Sequence, residues 1–311
     1  MQNIWITGCF GFIGSSLSSF LCEKGATVSG IGRGQISSSN LESRFICSNL
    51  TSTALDRLLL ETGKPDTLYH CVGSGSVGQA QLNPKEDFDS SVVSLNNLLD
   101  WIRLYSPLTR VIITSSAAVY GAEYAGAISE DDARSPFSIY GYHKSISEVI
   151  CESYITNYGL DIVVTRLFSV YGSGLKKQLL WDCCVKVSKA EPESTIELFG
   201  TGREVRDWIH ITDVVRTLHI LGLDKPKGLR ILNVGTGRAN TVRALIEHIL
   251  LAWGGEKKSI TVKFNGKVRK GDPESLISDN TNRRNLVHDS DLELKNGVEQ
   301  FVQWFKKNEG L

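Results

Sequence analysis

Short apolar runs alternate with amphipathic segments along the first half of the chain. Runs rich in β-branched and aromatic residues predict strands, and apolar residues that recur every three or four positions predict helices. Because strands and helices alternate, the pattern favours an α/β fold with a doubly wound parallel sheet. The predicted strands are 3–7, 27–31, 45–47, 67–71, 110–114 and 160–167, and the predicted helices are 14–23, 54–62, 88–105 and 140–158.

The regular alternation of predicted strands and helices is lost after about residue 171. We therefore predict a sheet-based domain over residues 1–170 and a smaller α/β lobe over residues 171–311. The helices predicted in this lobe are 175–189, 211–224, 240–253 and 295–307, and the strands are 195–199, 229–234 and 260–264.

Composition narrows the class of protein. The chain has 34 Lys and Arg residues and 34 Asp and Glu residues, so its formal net charge is zero, which argues against a nucleic-acid or membrane-surface partner. It has no apolar run long enough to span a bilayer and no basic, apolar leader at its start. The 7 Cys residues fit neither a disulfide framework nor a zinc site, so we expect buried free thiols, no metal and a cytoplasmic location.

A glycine loop follows the first predicted strand and opens a helix. Gly8 allows a tight turn, Gly11 allows a close approach of a pyrophosphate to the backbone, and Gly14 lets the helix pack on the sheet. In this context the motif predicts a Rossmann-type dinucleotide site, which includes Phe12 and Ile13 of the same loop.

The end of the second strand indicates which dinucleotide binds. Enzymes that use NAD usually carry an acidic residue there, but this chain has Gly32 and Arg33. Because Arg33 could meet a 2′-phosphate and Gly32 leaves room for one, we expect NADP(H) to be preferred, with NAD(H) as an alternative. Asn49, which follows the third strand, is expected to touch the adenine.

Tyr140 and Lys144 stand four residues apart, so a helix places both on one face. An ammonium near a phenol can lower the pKa of the phenol towards neutrality. Together with Ser116, which follows a buried strand, they suggest a Ser-Tyr-Lys site for proton transfer.

On these motifs the chain resembles the extended short-chain dehydrogenase/reductase family, which includes nucleotide-sugar epimerases, dehydratases and reductases. The resemblance covers nearly the whole chain. Besides the glycine loop and Tyr140/Lys144, its marks are His70–Gly73, Ser116–Gly121, Arg166–Gly172, Arg206–Asp213, Asn233–Gly237 and Arg269–Pro273.

The resemblance implies a role for each matched catalytic residue. It makes Tyr140 the general acid or base at the sugar, and Lys144 the group that lowers the pKa of Tyr140 and holds the nicotinamide ribose. It makes Ser116 a hydrogen-bond partner of the reacting oxygen. It also implies a homodimer formed through the helices at 88–105 and 140–158.

The resemblance also assigns a nucleotide-sugar site to the second lobe. It makes Arg206 and Arg269 a clamp for the pyrophosphate, with Asp213 ordering the loop of Arg206. Ser169 replaces a family Asn that contacts the diphosphate. Gln178 could reach the phosphate or the sugar.

Polar residues of the first domain complete the expected site and mark departures from the family. Ser74 lies in a polar loop near the expected sugar pocket. Ser91 and Ser94 replace a family Asn and Gly in the helix after the fourth strand, which puts a family proton-relay or helix-bridging role in doubt.

Three reactions compete within this family. Dehydration is disfavoured because Ala117 and Ala118 stand where dehydratases carry Asp-Glu. The absent carboxylate and Arg33 favour NADPH-dependent reduction of the 4-keto group of a nucleotide-activated 6-deoxyhexose or related hexose. NAD-dependent 4-epimerisation of a UDP-hexose is the alternative, and a non-catalytic sensor of NADP(H) is a third hypothesis, disfavoured because Tyr140 and Lys144 are both present.

Overall fold

The computed structural model describes residues 2–34, 44–124, 126–223, 230–268, 272–288 and 291–311. Within them the chain forms two compact units, and each is discontinuous in sequence. The first comprises residues 1–121, 130–167 and 215–233, and the second comprises 122–129, 168–214 and 234–311. This division differs from the single predicted boundary at residue 170, because the chain returns to the first unit to add a strand to its sheet.

The first unit is built on a sheet with the strand order β12-β7-β5-β4-β1-β2-β3. Neighbouring strands from β3 to β7 pair in parallel, which confirms the predicted α/β class. The chain winds in opposite directions from β1, so a crevice is expected at the carboxyl ends of β1 and β4. The strands are β1 (Asn3–Thr7), β2 (Thr27–Gly32), β3 (Phe45–Cys47), β4 (Thr67–His70), β5 (Arg110–Ser116), β7 (Ile162–Leu167) and β12 (Ile231–Val234).

Three of the four predicted helices of this unit begin and end close to the predicted positions, and α3 (Val77–Leu82) and α4 (Pro84–Phe88) were not predicted. The predicted helix over 88–105 is interrupted by a π-helical turn at Asp89–Val93, which separates α4 from α5. Ser94 Oγ donates to Ser90 O at 2.5 Å, and side-chain bonds of this kind compete with the regular backbone ladder. The helices are α1 (Phe12–Glu23), α2 (Ser52–Thr62), α3 (Val77–Leu82), α4 (Pro84–Phe88), α5 (Ser94–Tyr105) and α6 (Ile139–Tyr158).

Apolar side chains from the sheet and the helices form one buried cluster in the first unit. Trp5 of β1 is fully buried, and its ring lies 5.8 Å from that of Trp101 on α5. Leu98 and Ile102 of α5 and Val111 of β5 are also fully buried in this cluster. This packing fixes α5 and the strands as a rigid support for the loops at the carboxyl edge of the sheet.

The second unit contains shorter strands, most of which the sequence pattern does not predict. They form a four-stranded sheet of order β13-β10-β15-β6 and two pairs, β11-β8 and β14-β9. The strands are β6 (Ala127–Ile128), β8 (Ser169–Tyr171), β9 (Thr195–Leu198), β10 (Val205–Arg206), β11 (Trp208–His210), β13 (Asn240–Thr241), β14 (Thr261–Phe264) and β15 (Ser275–Ser278). The helices are α7 (Gln178–Lys189), α9 (Val242–Trp253), α10 (Thr281–Leu286) and α11 (Leu294–Glu309), and α8 (Ile211–Leu223) runs from this unit into the first.

The cysteines depart in part from the prediction of buried thiols. All seven are free, but Cys47 is exposed and Cys22 and Cys71 are half-buried. Among the helices that the structure describes, none is both long enough and apolar enough to cross a membrane.

Candidate functional site

The glycine loop between β1 and α1 is a tight turn under the first residues of the helix. Gly8 has φ +76°, a left-handed conformation that favours glycine, and its N–H donates to Ile31 O of β2 at 2.7 Å. A methyl group on Gly14 would lie 2.2 Å from Gly8 O, so the helix can approach the turn this closely only without a side chain. The close approach gives the predicted role of Gly14 its physical basis.

The amino terminus of α1 suits a dinucleotide phosphate. Gly11 is the N-cap residue and provides no side-chain cap, and the first turn carries no acidic residue. The backbone N–H groups that open this helix, including those of Phe12 and Ile13, therefore meet no competing side-chain acceptor at the N-cap. A helix terminus of this kind attracts anions through these N–H groups and through the helix dipole.

The space beside the end of β2 is narrower than the sequence analysis expected for a 2′-phosphate. A methyl group on Gly32 would lie 2.9 Å from the Phe10 ring, and one on Gly34 would lie 2.9 Å from Phe10 Cβ. The Phe10 side chain thus fills the space beside Gly32 that the sequence analysis left for a phosphate. Arg33 is 69% exposed, and its Nη1 lies 4.0 Å from Glu86 Oε1.

Asn49 lies in the loop between β3 and α2, where it is exposed. Its carbonyl accepts from Ser48 Oγ at 2.9 Å. The structure therefore leaves the predicted adenine contact as a prediction.

Ser116 and Tyr140 lie together at the carboxyl end of β5. Ser116 Oγ accepts from Ala118 N at 3.1 Å and so caps the 3₁₀ turn over Ala117–Val119. Ser138 caps α6 by accepting from Gly141 N, which fixes the first turn of the helix on which Tyr140 stands. The Ser116 side chain lowers the pKa of the Tyr140 hydroxyl, against the larger effect of burial.

Lys144 is buried one helical turn beyond Tyr140, with only 6% of its surface exposed. Its Nζ donates to Thr114 O of β5 at 3.0 Å and lies 5.9 Å from the centroid of the Tyr140 ring. A methyl group on Gly73, in the loop after β4, would lie 3.3 Å from this Nζ. The ammonium is therefore held between β5, the β4 loop and α6.

Burial dominates the ionisation of both groups. It raises the pKa of Tyr140 to about 12, although the hydrogen bond from Ser116 works in the opposite direction. Burial also lowers the pKa of Lys144. The lowering of the Tyr140 pKa that the sequence predicts is thus absent from the free protein, where the phenol is the stable form at neutral pH.

A buried ion pair supports this site from behind, and the sequence analysis did not identify it. Arg166 Nη2 of β7 donates to Glu148 Oε2 of α6 at 2.8 Å, and both side chains are 2% exposed. Ser115, the neighbour of Ser116, donates to Glu148 Oε1 at 2.6 Å. Arg166 Nη1 also donates to the Tyr120 hydroxyl at 2.8 Å. These contacts bind α6 to β5 and β7 at the level of the catalytic side chains.

The spacing of Glu148 offers a signal that could have identified it. Glu148 stands four residues after Lys144 and eight after Tyr140, so it lies on the same buried face of α6. A carboxylate on that face needs a buried partner, and Arg166 is the arginine within the apolar β7 segment.

Ser74 lies in the loop that leads to α3. Its Oγ accepts from Ser76 N and donates to Ser76 O, both at 3.3 Å. These bonds order the loop internally, and a contact between Ser74 and a sugar remains a prediction.

In the second unit, Arg206 is half-buried on β10. Its Nη1 donates to Val205 O at 2.9 Å. Burial lowers its pKa, whereas the Asp272 and Glu204 charges raise it. The carboxylate of the next residue, Asp207, accepts from Thr236 N and Gly237 N at 2.8 and 2.9 Å and thereby fixes this stretch of chain.

Asp213 is buried on α8, and its Oδ2 accepts from Leu292 N at 3.0 Å, which holds the segment before α11. Asp207, the neighbour of Arg206, also accepts from Ser278 N at 3.1 Å. The ordering of the Arg206 loop by Asp213 stays a prediction.

The other predicted substrate contacts are distributed over the second unit. Ser169 is half-buried on β8, where its N–H donates to Asp207 O at 3.0 Å. Gln178 is exposed at the start of α7 and has φ +68°, a strained conformation for a residue with a side chain. Arg269 lies outside the described residues.

A family model and curated relatives that match this chain all point to one family. The family model described as "NAD dependent epimerase/dehydratase family" matches residues 4–235. A putative UDP-glucose 4-epimerase of Methanocaldococcus jannaschii is 26% identical over 98% of this chain and 99% of its own length. YtcB of Bacillus subtilis, described as an uncharacterized UDP-glucose epimerase, is 30% identical over 96% of each chain.

A solved structure extends the likeness to the fold. MoeE5 in complex with UDP-glucose and NAD superposes with a TM-score of 0.85. It is 26% identical in sequence, and the match covers 99% of each chain.

The buried Glu148–Arg166 pair yields a prediction about stability. Replacing Glu148→Gln removes one charge and leaves the Arg166 guanidinium buried without its counter-ion. We expect the free energy of unfolding to fall by about 3–5 kcal/mol, as measured by urea denaturation. The control is Glu61→Gln in the exposed Arg57–Glu61 pair, which should cost less than about 1 kcal/mol. Equal losses in the two variants would contradict a structural role for the buried pair.

Proposed function

The chain belongs to the NAD-dependent epimerase/dehydratase family, and we propose that it is a UDP-hexose 4-epimerase that uses NAD. The observation that carries the proposal is the grouping of Ser116 at the end of β5 with Tyr140 and the buried Lys144 on the first turns of α6, in a chain whose relatives are described as UDP-sugar epimerases. This was the alternative in the sequence analysis, and NADPH-dependent reduction was the main prediction.

Two features favour epimerisation with NAD over reduction with NADPH. The Phe10 side chain occupies the space beside Gly32 on which the expected 2′-phosphate depended. In addition, the related structure of MoeE5 was obtained with NAD and UDP-glucose. The exposed Arg33, which remains the feature in favour of NADP(H), does not by itself select a cofactor.

Dehydration is disfavoured by the turn that follows Ser116. Elimination of water requires an additional acid and base next to the reacting carbons. The turn over Ala117–Val119 offers only apolar side chains, and Ala117 is buried.

The catalytic residues can perform the proton transfers of epimerisation. NAD, held at the glycine loop of Gly8, Gly11 and Gly14, would supply reversible hydride transfer at C4 of the sugar. Tyr140 Oη takes the proton of the 4-hydroxyl in the first half of the reaction and returns it in the second. Ser116 donates a hydrogen bond to the same oxygen, and the Lys144 ammonium stabilises the phenolate.

In the free protein, ionisation of Tyr140 is unfavourable because burial raises its pKa to about 12. Positive charge near the hydroxyl must therefore promote loss of the proton when the substrate is bound. We assign this effect to Lys144 and to the charge of the oxidised nicotinamide.

In the second unit, Arg206 is proposed to bind the UDP pyrophosphate. A guanidinium makes paired, charge-assisted hydrogen bonds to phosphate oxygens. Because burial lowers the pKa of Arg206, an incoming dianion also supplies a favourable partner for a partly desolvated charge. Arg269, Ser169, Gln178 and Ser74 remain further candidates for contacts with the substrate.

The direct test is a turnover assay with each UDP-hexose and either cofactor. The purified protein should interconvert UDP-glucose and UDP-galactose, or the corresponding glucuronate pair, with NAD present and without net formation of NADH. Arg33→Ala should leave the NAD affinity within about twofold, since this exposed side chain has no 2′-phosphate to bind. NADPH consumption with a 4-keto sugar nucleotide, together with no epimerisation, would support the reductase and overturn this proposal.

Tyr140→Phe tests the proton-transfer role. The change removes the hydroxyl and keeps the ring, so kcat should fall about 10²–10⁴-fold while NAD affinity stays nearly constant. Tyr142→Phe is the matched control, because Tyr142 is an exposed neighbour on α6 and should retain full activity. A Tyr140→Phe variant that kept more than about a tenth of kcat would exclude Tyr140 as the acid-base group.

We also propose that the protein is a homodimer that pairs through α5 and α6. Tyr142, Ile146 and Val149 form an exposed apolar stripe along α6, with spacings of four and three residues. Leu104 and Tyr105 at the end of α5 are exposed as well. Unpartnered apolar stripes on helices commonly mark an association surface.

Light scattering after size-exclusion chromatography should give twice the chain mass of 34.3 kDa. Val149→Asp places a charge in the stripe and should shift the protein to a monomer. Thr53→Asp, at an exposed position of α2, should leave the protein dimeric. A wild-type monomer at micromolar concentration would contradict the dimer.

A further inference from the structure

A small cavity lies beside the Lys144 side chain in the first unit, and the proposed mechanism does not use it. Its volume is about 10 Å³, and its wall includes His70 at the end of β4, Ser91 of the π-helical turn and Lys144 of α6. Leu95 and Ile113 contribute apolar surface to the same wall. A cavity of this volume has room for about one water molecule.

Three polar groups on this wall have fewer hydrogen-bond partners than they can use. Among the residues that the structure describes, Ser91 Oγ and His70 Nε2 have no partner, although these residues are only 4% and 2% exposed. Within the same described residues, the Lys144 ammonium donates to one acceptor, Thr114 O, at 3.0 Å. An ammonium has further N–H donors, and a buried polar group without a partner destabilises the fold. The cavity therefore favours an occupant that can bond with these groups.

The backbone at Gly73 shows how close two of these groups come. A methyl group on Gly73 would lie 3.1 Å from Ser91 Oγ and 3.3 Å from Lys144 Nζ. Because Gly73 has no side chain, no Cβ separates the two polar atoms there. Both atoms are thus near enough to share a single bridging molecule.

Other polar side chains of the wall already have partners. Ser147 Oγ donates to backbone carbonyls of α6 and of the π-helical turn, at 2.9 and 3.2 Å. Ser115 Oγ donates to the Glu148 carboxylate, and Thr114 Oγ1 donates to His70 O at 3.1 Å. These bonds hold the wall in place and leave the three groups above for the occupant.

We propose that this cavity holds one water molecule bonded to Lys144 Nζ, Ser91 Oγ and His70 Nε2, and that Ser91 and His70 are positioning residues that hold the ammonium through it. Water fits these groups because it both donates and accepts, so it can accept from the ammonium and still bond with the other two. A metal cation would be repelled by Lys144, and the cavity is too small for an organic ligand. The site belongs to the chain whatever it catalyses, whereas its meaning for catalysis rests on the proposed function.

His70 can take this part because its ring is neutral at physiological pH. Burial, and then the Lys144 charge, lower the pKa of His70 to about 3. Its Nδ1 lies 2.8 Å from Thr7 Oγ1, at the end of β1. Since the Thr7 hydroxyl can donate or accept, Nε2 meets the water either as an acceptor or as a donor, and water suits both.

The consequence for the site is a second fixed partner for Lys144. A lysine side chain is flexible, and one bond to Thr114 O leaves its ammonium more freedom than two bonds do. The water also gives an acceptor to a charge that burial disfavours. Because a small displacement of a catalytic group is costly in rate, the positioning of Lys144 should be measurable in kcat.

A high-resolution crystal structure of the purified protein tests the site directly. We expect density for one water molecule within about 3.2 Å of Lys144 Nζ, Ser91 Oγ and His70 Nε2. An empty cavity, a cofactor atom in this space, or a water molecule that touches only one of the three groups would overturn the proposal.

Removing the Ser91 hydroxyl distinguishes a wet cavity from a dry one. In a dry cavity Ser91→Ala deletes an unsatisfied hydroxyl, so the change should be neutral or stabilising. With water bound, Ser91→Ala should raise the equilibrium constant for unfolding about five- to tenfold in urea denaturation. A Ser91→Ala protein at least as stable as the wild type would overturn the proposal.

Ser18→Ala on α1 is the matched control for this measurement. Ser18 is also helical and buried, and its hydroxyl has no partner among the described residues. Ser18→Ala should therefore leave the stability unchanged or raise it. If Ser91→Ala behaved in the same way as this control, the cavity would be dry.

Two variants of His70 separate the positioning role from a purely structural one. The amide of His70→Asn reaches the place of Nδ1 and can keep the Thr7 bond, whereas that of His70→Gln reaches the place of Nε2 and can keep the bond to water. We expect His70→Asn to lower kcat for UDP-hexose epimerisation about tenfold and His70→Gln to stay within about threefold of the wild type. The reverse order would overturn the positioning role.

Urea denaturation shows whether each His70 variant is folded. If either is not, Ser91→Ala carries the kinetic test, with an expected fall in kcat of about tenfold. An unchanged kcat in that variant would overturn the positioning role.

The first two measurements need no substrate, so they separate this inference from the proposed function. A bound water molecule in a protein without epimerase activity would leave the site intact and remove the proposed function. An active epimerase with a dry cavity would do the reverse.

Discussion

The buried pair of Glu148 and Arg166 is the constraint on which the geometry of the site depends. Glu148 projects from α6, Arg166 from β7, and Ser115, which donates to the same carboxylate, from β5. A buried carboxylate and a buried guanidinium are each costly unless they meet, so the three elements have one favourable register. That register brings Ser116 of β5 near Tyr140 of α6 and holds Lys144 against Thr114 O. The positions of the catalytic side chains therefore depend on the Glu148–Arg166 pair, which takes no part in the reaction.

The same burial that organises the site also opposes its chemistry. Burial disfavours the charged form of both groups, the Tyr140 phenolate and the Lys144 ammonium, as the raised pKa of Tyr140 and the lowered pKa of Lys144 show. Formation of the Tyr140 phenolate therefore requires added positive charge near its hydroxyl, and negative charge nearby opposes it. On this view the bound cofactor and Lys144 promote formation of the Tyr140 phenolate. Hydride chemistry gains from such a dry site, since electrostatic interactions are stronger there than in water.

The elements best predicted from sequence are those whose own residues determine them. Strands such as β1 and β7 are buried on both faces and read as apolar runs, and the glycine loop requires its glycines locally. Features that depend on distant partners were not predicted. The break before α5 coincides with a Ser94 side-chain bond, and β10 and β13 have two residues each, which pair across 34 and 36 positions of the chain. Nothing in the spacing shows that the Phe10 ring packs beside Gly32, where the sequence predicts room for a 2′-phosphate. The role of Glu148 likewise depends on a tertiary contact.

The central claim is that one hydride leaves C4 and returns to the same carbon on a cofactor that stays bound. The most direct measurement follows deuterium from UDP-[4-²H]glucose through the reaction by NMR, with unlabelled NAD present in excess. The account predicts UDP-galactose that retains the deuterium at C4, without label in free NADH or in the solvent. Product that has lost its deuterium, or label that accumulates in released NADH, would contradict it.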